Sequence, residues 1–485
     1  MTTYVGPSFS SAKCSAADAR AEARAYMLSL AAVCAISVGC AARARAVVMA
    51  PLPPEASVQT NIGCYKCLLD AMAAYEAVPD TSRSAAFRAA MEETALLLAF
   101  RQRELGILEP DSLKVARDID VTMPAPQSRV VYIKLASAAP WNTRGMAPEK
   151  AEAQIHGPWD ESDQTALEQD GVGSNSLKQY ALITSRCTLQ YGGQAPADLP
   201  AIPLLQFRAA ACQPYDQQIL QSLLAAYPRF TEAHYFSGRS WLAARKLRSA
   251  AREITLATEE WPDFLAARVE LGTVLLASEN FAGAEAAFAA VAAREPLHRD
   301  ALLGQARALA GLERYRDSNA AADALIRAGT WYLTEAWEQK ASNFYALGEF
   351  DAATDAAKTG LNYGETWNLK RLLGFAHYGA RRFADARTWL QRVADGVPND
   401  CEARYFLGGA KSELGDNRPA LDDVQVAATC FDEAARDAQA GIDRPLAPDE
   451  DPSEHAARLR RLTKDRDHTI SMRDQARLAA AALQK

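Results

Sequence analysis

Residues 265–298 read LAARVELGTVLLASENFAGAEAAFAAVAAREPLH, and this stretch recurs in altered form six times between Thr231 and Asp432. Each copy carries one small residue and, twelve positions later, a second. The first set is Gly238, Gly272, Ala306, Ala341, Gly374 and Gly408; the second is Ala250, Ala284, Ser318, Ala353, Ala386 and Ala420. In three copies a proline follows after twelve more positions: Pro262, Pro296 and Pro398. The copies are spaced by 34, 34, 35, 33 and 34 residues. Self-similarity at this period means stacked helix pairs, each too small to bury its own apolar face. Small residues let two helices approach closely, large ones fill the layers between pairs, and proline ends the second helix.

The details place large residues around these small ones. The second copy runs Leu271-Gly272, Leu275, Phe281, Ala284, Phe288, Val291, Pro296; the fifth runs Leu373-Gly374, His377, Phe383, Ala386, Leu390, Val393, Pro398. Over residues 231–432 the chain resembles the tetratricopeptide repeat (TPR) family. The third and fourth copies depart from the motif, with Thr330 and Glu365 in place of proline and Lys340 in place of leucine. The resemblance implies an all-α solenoid, a right-handed superhelix of antiparallel helix pairs. It also implies binding of partners rather than catalysis, as in TPR-containing lipoproteins and periplasmic proteins of bacteria.

Outward from the array, the chain has 485 residues and a net charge of −7, which argues against a nucleic-acid partner. Lys13, Arg20 and Arg24 precede an apolar run, MLSLAAVCAISVG over 27–39, too short to span a bilayer and suited to an export signal. Two endings compete. Ile36-Ser37-Val38-Gly39-Cys40 resembles a lipobox, with Cys40 as the lipidated residue and the chain's one link to a membrane; Ala44-Arg45-Ala46 is an ordinary cleavage site. Export would place the remaining six cysteines (Cys64, Cys67, Cys187, Cys212, Cys401, Cys430) where disulfides form. Cys401 opens the sixth copy and Cys430 closes it, so antiparallel helices set them side by side. Six cysteines allow about fifteen pairings and the sequence does not fix them; Cys64 with Cys67 and Cys187 with Cys212 are further candidate bridges.

The expected organisation is an export signal and cleavage region over 1–46, a linker over 47–62 stiffened by Pro51-Leu52-Pro53-Pro54, and a divergent helical region over 63–228. Six repeats follow over 229–440, then a loop over 441–453 and C-terminal capping helices over 454–485. In the divergent region, helical spacing runs from Tyr65 to Glu76, Ser84 to Glu104, Ser176 to Gln190, Leu204 to Cys212 and Gln217 to Tyr227. A shorter pair lies within 111–140, with Asp111 as N-cap and Val130, Val131, Ile133 and Leu135 buried. The capping helices carry the stripe Leu459, Leu462, Ile470, Met472 and Leu478.

Catalytic motifs are absent from the sequence. Cys64-Tyr65-Lys66-Cys67 is followed by Leu68 instead of the histidine a haem site needs, and no further ligands sit at zinc spacing. Gly171-Val172-Gly173-Ser174 lacks the third glycine of a phosphate loop, and the six histidines are scattered, with His377 at a core position. No cofactor or metal is expected. An alternative reading places a carbohydrate-handling or enzymatic site in the irregular region 105–200, around Trp141, His156 and Trp159. The inner face of a TPR array is lined by the first helix of each pair. Here it would carry Tyr235, Arg239, Arg307, Glu338, Tyr345, Arg371, Tyr378 and Tyr405, of which the tyrosines and arginines are the types enriched in binding hot spots. Such a groove suits an extended peptide or an acidic helix of a protein partner. The Lys/Asn clamp for acidic tails is missing, since Tyr235 and Arg239 stand at its lead positions.

Overall fold

The computed structural model describes residues 49–105, 107, 112–119, 127–137, 161–169, 175–189, 201–211, 215–329, 332–447 and 452–484. Twenty-two α-helices and one short 3-10 helix are described, and no strand lies among the described residues. They fall in two compact units. The smaller holds 49–51 and 78–84, where Asp80–Ser82 forms a 3-10 turn, Ala50 N donates to Ser82 O at 2.9 Å, and Arg83 Nε donates to Val78 O at 2.9 Å. The larger holds the remaining described residues and all the α-helices.

In the larger unit, α1 (Pro54–Ile62), α2 (Tyr65–Glu76) and α3 (Ala85–Leu105) come first. Helix α1 corrects the expected linker. Pro54 is its first helical residue, where a missing N–H costs nothing and the fixed φ favours the helix. Helices α4 (Ser112–Asp118), α5 (Gln127–Ser137), α6 (Glu161–Gln169), α7 (Asn175–Leu189), α8 (Pro203–Ala210) and α9 (Gln217–Ala226) complete the divergent region. Helix α6 has no counterpart in the sequence reading. In α5, Val131 and Leu135 are buried as expected, but Val130 is 62 % exposed and Ile133 only half-buried. Asp111, the Gly171–Ser174 stretch and residues 138–160 lie outside the described residues.

Six antiparallel pairs then follow: α10 (Thr231–Ala243) with α11 (Leu247–Glu260), α12 (Leu265–Ala277) with α13 (Phe281–Arg294), α14 (Arg299–Gly311) with α15 (Tyr315–Ala328), α16 (Leu333–Ala346) with α17 (Phe350–Leu361), α18 (Trp367–Gly379) with α19 (Phe383–Gly396), and α20 (Cys401–Glu413) with α21 (Asn417–Asp443). Each helix packs on the next, which gives the TPR-type α-solenoid that the 34-residue period implies. The small residues do what their spacing demands. A Cβ on Gly238 would come within 2.3 Å of Ile254, one on Gly374 within 2.5 Å of Leu390, and one on Gly408 within 2.4 Å of Val424. In the third pair Ser318 replaces alanine and spends its hydroxyl on Ala306 O at 2.7 Å. Lys340, the misfit in the fourth, reaches Asp323 at 2.6 Å and lies over the Trp337 ring at 4.6 Å.

A second regularity escaped the sequence reading. The turn inside every pair places one residue in the left-handed region: Arg245 (φ 57°), Glu279 (59°), Glu313 (59°), Gly348 (73°), Arg381 (59°) and Gly415 (84°). Only two of the six are glycine, so four non-glycine residues accept a conformation that L side chains disfavour. The period enforces it, because the second helix must reverse within three residues.

Each first helix from α10 to α18 also packs on the first helix of the next pair, whereas consecutive second helices do not approach as closely among the described residues. The first helices therefore form the tighter face of the array. In the stretch 454–485, expected as capping helices, residues 454–483 belong to one long helix, α22 (Pro452–Leu483), antiparallel to α21. Ala476 and Ala480 are buried there against Val424, Ala427, Ala428 and Phe431, while Leu478 is 72 % exposed and leaves the expected stripe. None of the described helices is long and apolar enough to cross a membrane.

Candidate functional site

The face made by the first helices is the candidate site, and its two ends differ. At α10, Tyr235 does not line a groove. It is 2 % exposed, its ring 5.0 Å from Phe264 and 5.2 Å from Phe236. Arg239 is half-buried, 3.8 Å from Glu270, with its guanidinium 5.5 Å from the Tyr215 ring and 5.6 Å from that of Tyr235. Both residues hold the first pair to its neighbours: Tyr235 through Phe264 of the second pair, Arg239 through Glu270 of that pair and Tyr215 ahead of α9. Glu338 belongs to a seam as well, since its carboxylate accepts from the hydroxyl of Thr366, the N-cap of α18. Arg371 sits 3.8 Å from Asp400 and 3.9 Å from Glu402 and leans on the Phe375 ring. Arg307 alone of the three arginines is exposed with no ion-pair partner among the described residues.

The tyrosines of α16, α18 and α20 come together. Tyr345 lies 6.0 Å from Phe375, Phe375 4.8 Å from Phe406, Phe406 5.1 Å from Tyr378 and 5.4 Å from Tyr405. The result is one aromatic band across three pairs. Gly409 makes room for it: a Cβ there would stand 2.7 Å from the Tyr378 hydroxyl. All three tyrosines are half-buried, and their hydroxyls have no hydrogen-bond partner among the described residues. Burial raises the pKa of Tyr345, helped by Glu402, and that of Tyr378, helped by Tyr405, so these phenols stay protonated and able to donate. A half-buried aromatic band that also carries O–H donors is suited to holding a chain that offers both apolar side chains and carbonyl oxygens.

Other sequence candidates resolve singly. Cys64 caps α2, its sulfur accepting from Cys67 N at 3.0 Å, and the two cysteines lie at disulfide distance with Cα atoms 4.9 Å apart. Cys401 and Cys430 also lie at disulfide distance, Cα atoms 5.5 Å apart. Cys40, Cys212 and the side chain of Cys187 lie outside the described residues, as do Trp141, His156 and Trp159. His377 is packed in the core, but its Nδ1 lacks a hydrogen bond and burial lowers its pKa. No cluster of metal-ligating groups occurs among the described residues. A cavity of about 640 Å³ opens between the turns of pairs four and five, lined by residues such as Phe350, Asp351 and Arg382, on the edge of the array and off the first-helix face.

His234 supplies a pH-dependent contact that the sequence did not reveal. Its Nδ1 lies 2.8 Å from Glu253 and its Nε2 2.9 Å from Pro228 O, so both ring nitrogens face acceptors. Burial opposes its charge, yet the Glu253 and Pro228 hydrogen bonds outweigh it and raise the pKa, while that of Glu253 falls. A raised folded pKa gives stability that is full below the unfolded value of about 6.5 and fades as pH rises through the folded value. Denaturant midpoints measured from acid to alkaline pH should therefore drop across that window, and drop less in His234→Gln. Parallel profiles for the two proteins would refute the contact's role.

No family model matches the chain, and no curated protein matches it. Solved structures similar to it include the MamA protein (17% identity, 38% of this chain and 98% of that chain, TM-score 0.32). Others are a tetratricopeptide repeat protein from Parabacteroides merdae (12%, 53% and 99%, TM-score 0.38) and the anaphase-promoting-complex hetero-tetramer Cut9-Hcn1 (10%, 83% and 83%, TM-score 0.42). At such scores the TPR-type fold stands on the helix pairs and their 34-residue period.

Proposed function

We propose that this chain is a non-catalytic scaffold of the bacterial cell envelope that binds a peptide or protein partner along the first helices of pairs four to six. The aromatic band of Tyr345, Tyr378 and Tyr405, with three hydroxyls that have no partner among the described residues, is the observation that carries the reading. Arg307 adds a cation with no ion-pair partner among the described residues, on the neighbouring first helix. Arg239 and Arg371 drop out as partner contacts because their charges are already engaged within the array. Two cysteine pairs at disulfide distance support an oxidising compartment, in keeping with the export segment and with Cys40 as a lipid attachment point.

The test compares wild type with the triple variant Tyr345→Phe/Tyr378→Phe/Tyr405→Phe as bait in envelope extracts. The variant keeps every ring contact and removes only the donors. Each hydrogen bond is worth about 1 kcal/mol, so recovery of a specific partner should fall about tenfold or more. Equal recovery of every partner by both baits would show that the band is packing and nothing else.

A further inference from the structure

Helix α22 has two unlike halves. Its C-terminal half is fastened to pair six by apolar packing on α21 and by Arg473, 3.4 Å from Asp432, with Arg477 on the same carboxylate. Its N-terminal half follows the part of α21 that projects beyond the pair. Arg458 donates to Gly441 O at 2.6 Å and Arg466 to Gln439 at 2.9 Å. At its start, α22 meets the other end of the array. The Glu454 carboxylate accepts from the backbone N–H of Arg248, the second residue of α11, and the helix packs on α11 there. One stretch further on, the Lys464 ammonium lies 3.7 Å from Glu279, in the turn of pair two. A helix of 32 residues is about 48 Å long, so this single rod joins pair six to pairs one and two.

We propose that the α21–α22 hairpin is a strap, fixed at pair six and latched reversibly at pairs one and two. The two ends are held by different physics. The fixed end rests on buried alanines and Phe431, which salt does not loosen. The latch rests on charges at the surface: the Lys464 and Glu279 side chains are 75 % and 45 % exposed. An exposed pair contributes at most about 1 kcal/mol, a fivefold bias, and salt screens it. Pairs in a solenoid touch only their neighbours, so the array can flex when the latch lets go. Glu279 is the left-handed turn residue of its pair, so the catch sits on a turn that every pair of the array repeats. The strap thereby sets how far apart the ends of the array stand, whichever partner is bound.

Carbodiimide condenses a carboxylate and an amine already in contact into an amide with loss of water. In the full-length protein at low ionic strength it should link Glu279 to Lys464, detected as a cross-linked peptide by mass spectrometry. Near 1 M salt, where the Debye length is about 3 Å, the yield should fall about fivefold relative to the Lys370–Glu365 link, a pair only five residues apart. E279K should abolish the cross-link, and E279K/K464E should restore it with the roles reversed. A missing link at low salt, a yield that tracks Lys370–Glu365 at all salt concentrations, or no recovery in the charge swap would each overturn the latch. None of these outcomes depends on the tyrosine band.

Discussion

Arg101→Met should cost the larger unit about 3–5 kcal/mol, the range for removing one partner of a buried ion pair. Arg101 is fully buried in α3. Its Nη2 donates to Glu232 of α10 at 2.6 Å, its Nη1 to Glu104, and its guanidinium lies over the Phe207 ring at 4.1 Å. Glu104 also accepts from Arg208 of α8 at 2.8 Å and from the Tyr180 hydroxyl of α7 at 2.7 Å, and Glu232 from the backbone N–H of Tyr65. Two guanidinium groups thus balance two carboxylates inside the protein. Burial disfavours the Arg101 charge, but Glu104, Tyr180 and Glu232 outweigh it and push its pKa up; burial beside Glu104 raises Tyr180 too, keeping its proton as a donor. Methionine fills much of the volume and leaves two carboxylates facing one arginine. Urea unfolding should show the loss. Arg101→Met/Glu232→Gln should lose less than the sum of its single variants, because the second change removes the orphaned charge. Strict additivity would mean that the four groups do not act as a unit.

The second large effect is expected at Phe288. This ring is 2 % exposed and stands between two glycines: a Cβ on Gly272 would reach within 2.7 Å of it, and one on Gly304 within 2.3 Å. Phe288→Ala should cost about 3–5 kcal/mol, toward the upper end, because neighbouring glycines have no side chains with which to fill the cavity. Since stability in such an array is a sum of pair and interface contributions, the loss should be local. The unfolding curve should split, with pairs two and three melting before the remainder, seen as early loss of amide protection over residues 265–328. Uniform loss across all six pairs would contradict nearest-neighbour coupling.

These two sites mark what the sequence disclosed. Phe288, Gly272 and Ala284 were legible because contact partners within a pair sit at fixed spacing, so a one-dimensional period encodes a three-dimensional contact. Arg101 and Glu232 are 131 residues apart, and no period relates them. The divergent region was legible as helices, through the apolar spacing of Leu68, Leu69, Met72 and Tyr75, but not as a charged core. Pro51-Leu52-Pro53-Pro54 misled because proline marks both a tether and the first turn of a helix. At the candidate site, position along a first helix could not show that Tyr235 is buried between Phe236 of its own helix and Phe264 of the next pair. The aromatic band needed Phe375 and Phe406 to be recognised, since they place three tyrosines from three pairs in register.

The Cys401–Cys430 pair sits at a mechanical boundary. Before Cys430, α21 is the second half of a helix pair; beyond it, α21 projects as one arm of the strap. A covalent rivet at that point turns the projecting arm into a lever with its fulcrum at the mouth of pair six. Tension applied to the strap is carried across the bridge into α20 and on into the stack, rather than peeling α21 away one turn at a time. In a thiol-rich environment the rivet opens and the same pull would unzip the last pair first.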